Sequence, residues 1–248
     1  MDRWFVSRDL TASIVVLPLL LVIALVGLAV TATPVVADTP TTLTLSAQKA
    51  VVDWHSTAIL NGLLEESLIP PQPLDHQQVS VEYATTPSGV WSSADIVTNG
   101  DGQYYSGEYT YSWKAERTYY WRMDYPGVSG LYAAAMSAVL KVGVRPLVGT
   151  PTVPSGIASG QKFKVGGSLT PRFAAGSRTV RVRLFRYLRG KWRWYATYLA
   201  VNRNAGAYSS YSTRIALGKG TYRFVARTRS TSAYAAAKSG WGHPFRVR

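Results

Sequence analysis

The chain has 248 residues, of which 47% are hydrophobic and 16% are charged; this composition suits a folded protein and argues against disorder. It contains no cysteine, which excludes disulfide cross-links, thiol catalysis and thiolate metal sites. The formal net charge of +14 is unevenly distributed, because residues 144–248 hold 20 Lys or Arg and no Asp or Glu, whereas residues 38–143 hold 11 acidic and 5 basic residues.

The first 37 residues have the pattern of a secretory signal peptide. A weakly basic start precedes an apolar run over residues 14–30, and Val35 and Ala37 are the small residues expected before cleavage at Asp38. The apolar stretch is also long enough to span a bilayer, so residues 1–37 are either a signal peptide or an uncleaved anchor helix. In both cases we expect the rest of the chain to lie outside the cytoplasm.

The rest of the chain repeats itself. Tyr-Ala-Ala-Ala-Met-Ser at residues 132–137 recurs as Tyr-Ala-Ala-Ala-Lys-Ser at residues 234–239, an offset of 102. Val-Ser-Val-Glu-Tyr at residues 79–83 recurs in pattern as Val-Arg-Val-Arg-Leu at residues 180–184, an offset of 101. Several such matches in the same order indicate two copies of one structural unit.

The two copies define two predicted domains, a net acidic one at residues 38–145 and a strongly basic one at residues 146–248. Within the second, Val180, Val182 and Leu184 alternate with other side chains at the period of two that is typical of a β-strand. Turn residues separate such runs, and no long helical periodicity follows the N-terminal segment. The predicted fold is therefore all-β, with two tandem antiparallel β-sandwiches.

The order of short motifs in the second domain ends with Gly-Thr-Tyr-Arg-Phe-Val-Ala at residues 220–226. This order resembles the immunoglobulin-like repeats of secreted proteins from Gram-positive bacteria, especially actinomycetes. The first domain departs from it, because residues 116–122 lack the glycine and residues 65–76 look like an extra loop. The resemblance implies immunoglobulin-like sandwiches that serve as spacers, adhesive modules or wall-associated accessories, and it implies no catalytic residue.

Strand alternation also predicts a row of outward-pointing basic side chains on the second domain, because every second residue of a strand faces away from the core. The candidate polyanion-binding residues are Arg181, Arg183, Lys191, Arg193, Arg223, Arg227 and Arg229. We expect the arginines of this set to share one face of a sheet. Arginine suits phosphate and carboxylate because its planar guanidinium donates two parallel hydrogen bonds. The alternative interpretation is an ordinary solvated strand face.

Aromatic residues are the second candidate feature. Trp194, Tyr198 and Trp241 lie among the basic residues and are candidates for stacking on sugar rings or nucleobases. Ordinary packing within the sandwich is the alternative, since aromatic residues favour strands generally. Four other aromatic residues recur at matched positions of the repeat and are expected to be structural: Trp91, Trp192, Tyr104 and Tyr208.

The sequence offers no catalytic, metal-binding or cofactor-binding pattern. The second domain has no carboxylate for acid–base chemistry, and no phosphate-cradling Gly-Lys-Ser motif occurs. The three histidines, His55, His76 and His243, have no metal-ligand spacing. We therefore expect a protein that is not an enzyme.

These patterns predict a secreted, non-catalytic cell-surface protein whose basic second domain binds an anionic polymer. Wall phosphate polymers, acidic polysaccharide and the lipid headgroups of a membrane surface all fit, and nucleic acid is a weaker candidate in an extracellular setting. One alternative is a structural spacer or adhesive module whose charge forms a diffuse field without a specific site. Another is a neutral-glycan-binding module that uses exposed tryptophans.

Overall fold

The computed structural model describes residues 37–100 and 107–248, and every regular element in these two ranges is a β-strand. The predicted signal or anchor helix falls outside the described residues, apart from Ala37 at its end, and the described ranges contain no helix that could cross a membrane. The strands are β1 (Thr41–Ala47), β2 (Val51–Asp53), β3 (Thr57–Glu66), β4 (Gln72–Pro73), β5 (Gln78–Ala84), β6 (Ser92–Thr98), β7 (Glu108–Lys114), β8 (Tyr119–Tyr125), β9 (Ala135–Met136), β10 (Leu140–Arg145), β11 (Leu147–Val148), β12 (Lys162–Thr170), β13 (Val180–Leu188), β14 (Lys191–Ala205), β15 (Tyr208–Ala216), β16 (Gly220–Thr228) and β17 (Phe245–Val247).

In the first half, up to residue 145, two sheets enclose one hydrophobic core. One sheet has the order β1-β3-β4 with β7 also paired to β3, and the other has the order β2-β10-β8-β5-β6 with β9 on β8. All pairs are antiparallel except β2 with β10, which is parallel. Leu60 and Leu64 from the first sheet and Val79, Val81 and Met123 from the second are completely buried in the same cluster.

In the second half, from residue 146, the strands form one seven-stranded sheet in the order β11-β12-β15-β14-β13-β16-β17. Strand β14 is 15 residues long and belongs to both parts of this sheet, because residues 191–200 pair with β13 and residues 201–205 pair with β15. The two parts enclose a second core to which Val165 of β12 and Phe224 of β16 contribute. The all-β prediction is confirmed, but this half is one curled sheet rather than two separate ones.

The predicted alternation in β13 is confirmed, since Val180, Val182 and Leu184 are completely buried. The strand is connected to β14 by the turn residues Arg189 and Gly190, which have φ angles of 50° and 75°. Two consecutive positive φ angles are the conformation of a tight two-residue hairpin turn, and glycine at the second position reduces its cost.

A β-bulge interrupts the pairing of β13 with β14. Leu184 pairs with Ala196, but Phe185 pairs with Trp194, so that Tyr195 is an extra residue on β14. An extra residue exchanges the faces on which the preceding side chains of that strand lie. The bulge therefore decides which side of the sheet receives the basic and aromatic residues of β14.

The repeat seen in the sequence recurs in the hydrogen bonding of two buried serines. Ser137 Oγ accepts a hydrogen bond from the Met123 N–H at 2.8 Å, and Ser239 Oγ accepts one from the Ala226 N–H at 2.9 Å. The N–H of each serine donates to the carbonyl oxygen of the same strand residue at 2.9 Å. Each serine thus continues the edge of a strand and satisfies a buried backbone donor.

Replacing either serine by alanine removes the acceptor and leaves that backbone N–H buried without a partner. We expect Ser239→Ala to lower the free energy of unfolding by about 1–3 kcal/mol, with a similar loss for Ser137→Ala. Chemical denaturation measures this loss. Ser230→Ala is the matched control, because Ser230 is exposed in a loop; a loss no larger than that of the control would contradict the structural role of the buried hydroxyls.

Two tyrosines occupy corresponding buried positions of β7 and β15. Tyr109 and Tyr211 are each about 1% exposed, and the Tyr211 hydroxyl donates to the Gly149 carbonyl oxygen at 2.6 Å. Burial raises the pKa of both phenols well above the ordinary value. The folded state therefore keeps both phenols protonated at a pH at which the unfolded chain releases the protons.

This difference makes stability fall at alkaline pH. The contribution of each tyrosine is fully present below the unfolded pKa of about 10 and is lost as pH rises above that value, because only the unfolded state ionises. We expect the free energy of unfolding, measured in urea, to fall as pH rises above about 10, and to fall less steeply in Tyr211→Phe. Tyr208→Phe, which changes an exposed side chain, should keep the slope of the parent protein; equal slopes in all three proteins would refute the assignment.

Candidate functional site

The outward side of β13 and β16 carries four arginines, Arg181, Arg183, Arg223 and Arg227, which we call the arginine face. Arg181 pairs directly with Arg227, and Phe185, two residues beyond Arg183, pairs with Arg223. These side chains lie on the opposite side of the sheet from the buried valines of β13. In the described part of the chain none of the four forms an ion pair, so their charges face solvent or aromatic rings.

Arg193 does not join this face, contrary to the expectation from the sequence. It pairs with Arg186, whose guanidinium lies 5.7 Å from the ring centroid of buried Tyr222, on the core side of the sheet. The physical reason is the bulge at Tyr195, which shifts by one residue the phase of β14 between the hairpin and the bulge. Simple alternation along the strand cannot anticipate this shift.

Two further predicted residues lie at the margins of the sheet. Lys191 is exposed and pairs with Leu188 at the hairpin. By the alternation of β13, this pair belongs to the side of the sheet opposite the arginine face. Arg229 is exposed beyond Thr228, the last residue of β16, and the register of β13 with β16 does not extend to it. The predicted row therefore shortens to four arginines on two neighbouring strands.

At one end of the arginine face, Arg223 lies between two indole rings, an arrangement that we call the tryptophan clamp. Its guanidinium carbon is 4.4 Å from the Trp192 ring centroid and 3.8 Å from that of Trp241. Lys238 Nζ lies 5.1 Å from the Trp241 ring. The Arg223 Nε is buried and has no hydrogen-bond partner, so contacts with aromatic rings replace a carboxylate.

The three candidate stacking residues differ in their surroundings. Trp241 also packs edge-on against Phe185 at 4.9 Å, which leaves it 41% exposed. Trp194 is 58% exposed and donates from Nε1 to the Thr197 hydroxyl at 3.2 Å. Tyr198 lies apart from the arginines, packed against the second core, and burial raises the pKa of its phenol. Only Trp194 presents a largely open ring to solvent.

The corresponding face of the first half is neutralised internally. Glu82 of β5 pairs in register with Arg122 of β8, and its Oε2 accepts a hydrogen bond from the Arg122 Nε at 2.6 Å. The Arg122 guanidinium stacks on Trp91 at 4.4 Å. In the repeat Arg183 occupies the position of Glu82, so the second half lacks an acid at the place where the first half pairs one with Arg122.

A cavity of about 640 Å³ at the junction of the two halves adjoins the Arg227 end of the arginine face. It is lined by Arg227 and Lys238, and by Arg145, whose Nε lies 3.0 Å from Asp53 Oδ1. Lys238 and Arg145 were not among the residues predicted from the sequence. The repeat contained a signal for Lys238, because this lysine replaces Met136 of the first copy.

No known family model matches the chain, and no curated protein resembles it significantly. Across residues 37–100 and 107–248 no three His, Asp or Glu side chains come together in a way that could hold a metal ion. The arrangement at the surface can bind an anion through guanidinium groups or stack on a planar ligand at Trp194.

The tryptophan clamp predicts a contribution of Arg223 to stability that is independent of any ligand. We expect Arg223→Gln to lower the free energy of unfolding by about 1–2 kcal/mol, because two cation–π contacts are lost. Arg193→Gln changes an exposed arginine for which no ring contact is present, and should stay within about 0.5 kcal/mol of the parent. Equal stabilities of the two variants in urea would show that the clamp contributes nothing.

Proposed function

We propose that the protein is a secreted, non-catalytic cell-surface protein of two immunoglobulin-like sandwiches, whose basic second half binds an anionic polymer. The polymer lies along the arginine face and is bound by Arg181, Arg183 and Arg227, with Lys238 at the margin. The first half acts as a spacer or partner-binding module. Wall phosphate polymers, acidic polysaccharide and anionic lipid headgroups are the ligand classes that suit guanidinium donors in an extracellular setting.

The observation that carries this proposal is the pairing of like charges across neighbouring strands. Arg181 lies opposite Arg227, and the repeat places the opposite-charge pair of Glu82 and Arg122 on the same face of the first half. Like charges directly opposite each other destabilise a sheet, and the second half contains no acid to relieve them. An external anion that lies over the two strands, between the guanidinium groups of Arg181 and Arg227, reduces this repulsion and accepts charge-assisted hydrogen bonds.

A neutral-glycan-binding module is the second candidate, and the exposed ring of Trp194 supports it. Its weakness is that Trp241 is already engaged by Arg223 and Phe185, so a platform of two free indoles is missing from the described surface. Binding to neutral sugar would resist salt, whereas polyanion binding weakens steeply as salt rises.

The test is co-sedimentation of the purified protein with cell walls of its own organism, over a range of salt concentrations. We expect binding that weakens steeply with salt and that disappears on walls stripped of their phosphate polymers. Arg181→Gln/Arg227→Gln should lower the affinity by about 1–2 kcal/mol, or roughly tenfold, and should flatten the salt dependence, because two guanidinium–anion contacts are lost.

Lys49→Gln/Lys114→Gln is the matched control, because it removes the same charge from exposed positions of the first half. Equal loss in the two double variants would favour a diffuse field, and hence the spacer alternative. The proposal would be replaced by the neutral-glycan function if binding is unchanged by salt and by removal of the phosphate polymers, and if Trp194→Ala abolishes it.

A further inference from the structure

A second basic site lies on the outward side of β12, β15 and the end of β14, and none of its lining residues was predicted from the sequence to bind a ligand. Leu199 at its edge pairs with Arg181 of the arginine face. It is a groove of about 530 Å³, which we call the basic groove. Four cationic side chains line it together with two aliphatic and two hydroxyl residues: Lys164, Arg178, Arg203 and Arg214, with Leu199, Val201, Ser212 and Thr213.

The strand register brings these cations together from distant parts of the sequence. Lys164 of β12 pairs directly with Arg214 of β15, and Arg203 of β14 pairs with Ser210 of β15. All four cationic residues are exposed, and none of their side chains forms an ion pair or a hydrogen bond within the described residues. The groove therefore concentrates positive charge that the chain itself leaves unbalanced.

The fourth cation, Arg178, is positioned by a buried amide. Asn202 is completely buried, and its side-chain amide donates to the Ser177 hydroxyl at 2.9 Å and to the Thr179 hydroxyl at 2.7 Å. The Asn202 N–H also donates to the Ser177 carbonyl oxygen at 2.9 Å. The loop residues on both sides of Arg178 are thus fixed against β14, next to Arg203, before any ligand arrives.

The first half provides an internal comparison. Its strands β3 and β7 pair in the same way as β12 and β15. Ile59 and Ser112 form the pair there that corresponds to Lys164 and Arg214. This strand pairing therefore forms without cations, so it does not require the charge of Lys164 and Arg214.

The lining also indicates the chemistry of the ligand. Three guanidinium groups, an ammonium group and two hydroxyls supply more donors than one anionic group can accept, so they match a chain that carries several phosphates. No aromatic ring lines the groove, so a nucleobase would find no stacking partner there. Leu199 and Val201 instead offer an aliphatic contact for a carbon backbone between phosphates.

We infer that the basic groove is a specific subsite for a phosphodiester polymer without aromatic bases, a polyol phosphate chain. This inference rests on the proposed polyanion-binding function and narrows its ligand class. The groove binds one phosphate at the directly paired Lys164 and Arg214, and Arg203 and Arg178 contact the next phosphate along the chain. The arginine face supplies a broader attraction, which draws the polymer toward the second half.

The test is isothermal titration of the full chain with a short, chemically defined glycerol phosphate oligomer at physiological ionic strength. We expect saturable binding that weakens about tenfold or more in Arg203→Gln/Arg214→Gln. Arg246→Gln/Arg248→Gln is the matched control, since it removes the same charge from exposed positions of the same half outside the groove, and it should change affinity less than about twofold. Arg203→Lys/Arg214→Lys keeps the charge but loses the planar fork, and should fall between the two. Circular dichroism of each variant verifies that it is folded.

Equal weakening in the Gln variants of the groove and of the control would overturn the subsite in favour of a diffuse field. Binding of oligothymidylate or oligogalacturonate of equal charge, with equal affinity and through the same arginines, would overturn the assignment of a base-free phosphate. Failure of the glycerol phosphate oligomer to bind, with salt-sensitive binding to walls preserved, would reject the groove and leave the proposed function in place. Loss of both binding activities would reject both.

Discussion

The second half of this protein is governed by the absence of acidic residues between Asp124 and the last residue, Arg248. A folded surface normally relieves repulsion between its cations by interspersing carboxylates. Here a base must reach solvent or stack on an aromatic ring, as Arg223 does on Trp192 and Trp241. The structure uses both solutions, and the cations left at the surface define the candidate sites.

The repeat shows how the surface of the second half differs from the corresponding surface of the first half. In the first half, Glu82 and Arg122 form a cross-strand ion pair over which Trp91 lies. In the second half, the tryptophan position is retained as Trp192, but the guanidinium on it comes from Arg223 and no carboxylate is present. The two halves thus share a guanidinium stacked on a tryptophan, but only the first half has the neutralising carboxylate. This difference separates the structural role of Arg223 from the proposed binding role of its neighbours.

The two candidate sites of the second half act at different ranges. The arginine face is an open strand surface on which charges are spaced by the register, and it attracts any polyanion through a long-range field that salt weakens. The basic groove is concave, the loop that carries Arg178 is fixed by buried Asn202, and four cationic residues line it. A field brings a polymer near the surface, whereas side chains at fixed positions can select one polyanion over another.

Much of this could be read from the sequence, because the signals are local. The period of two in residues 180–184 predicted the inward-facing valines, and the turn at Gly190 indicated the hairpin. The two Tyr-Ala-Ala-Ala segments indicated the repeat, in which the serine after each segment accepts the same kind of backbone hydrogen bond. The matching of Tyr104 with Tyr208 was less successful. Tyr208 is 44% exposed, and the buried tyrosine of that strand is Tyr211, because the register of β15 places every second residue in the core.

The sequence by itself determined the all-β class, the sign of each half's charge and the outward direction of Arg181 and Arg183, since each of these depends on composition or on neighbouring residues. The tertiary structure decided the rest. One unpaired residue, Tyr195, turns Arg193 away from the arginine face, and a bulge is defined only by the partner strand. The groove joins Lys164 to Arg203 and Arg214 through pairings between strands that are distant in sequence, and such non-local register leaves no mark in the alternation of any single strand.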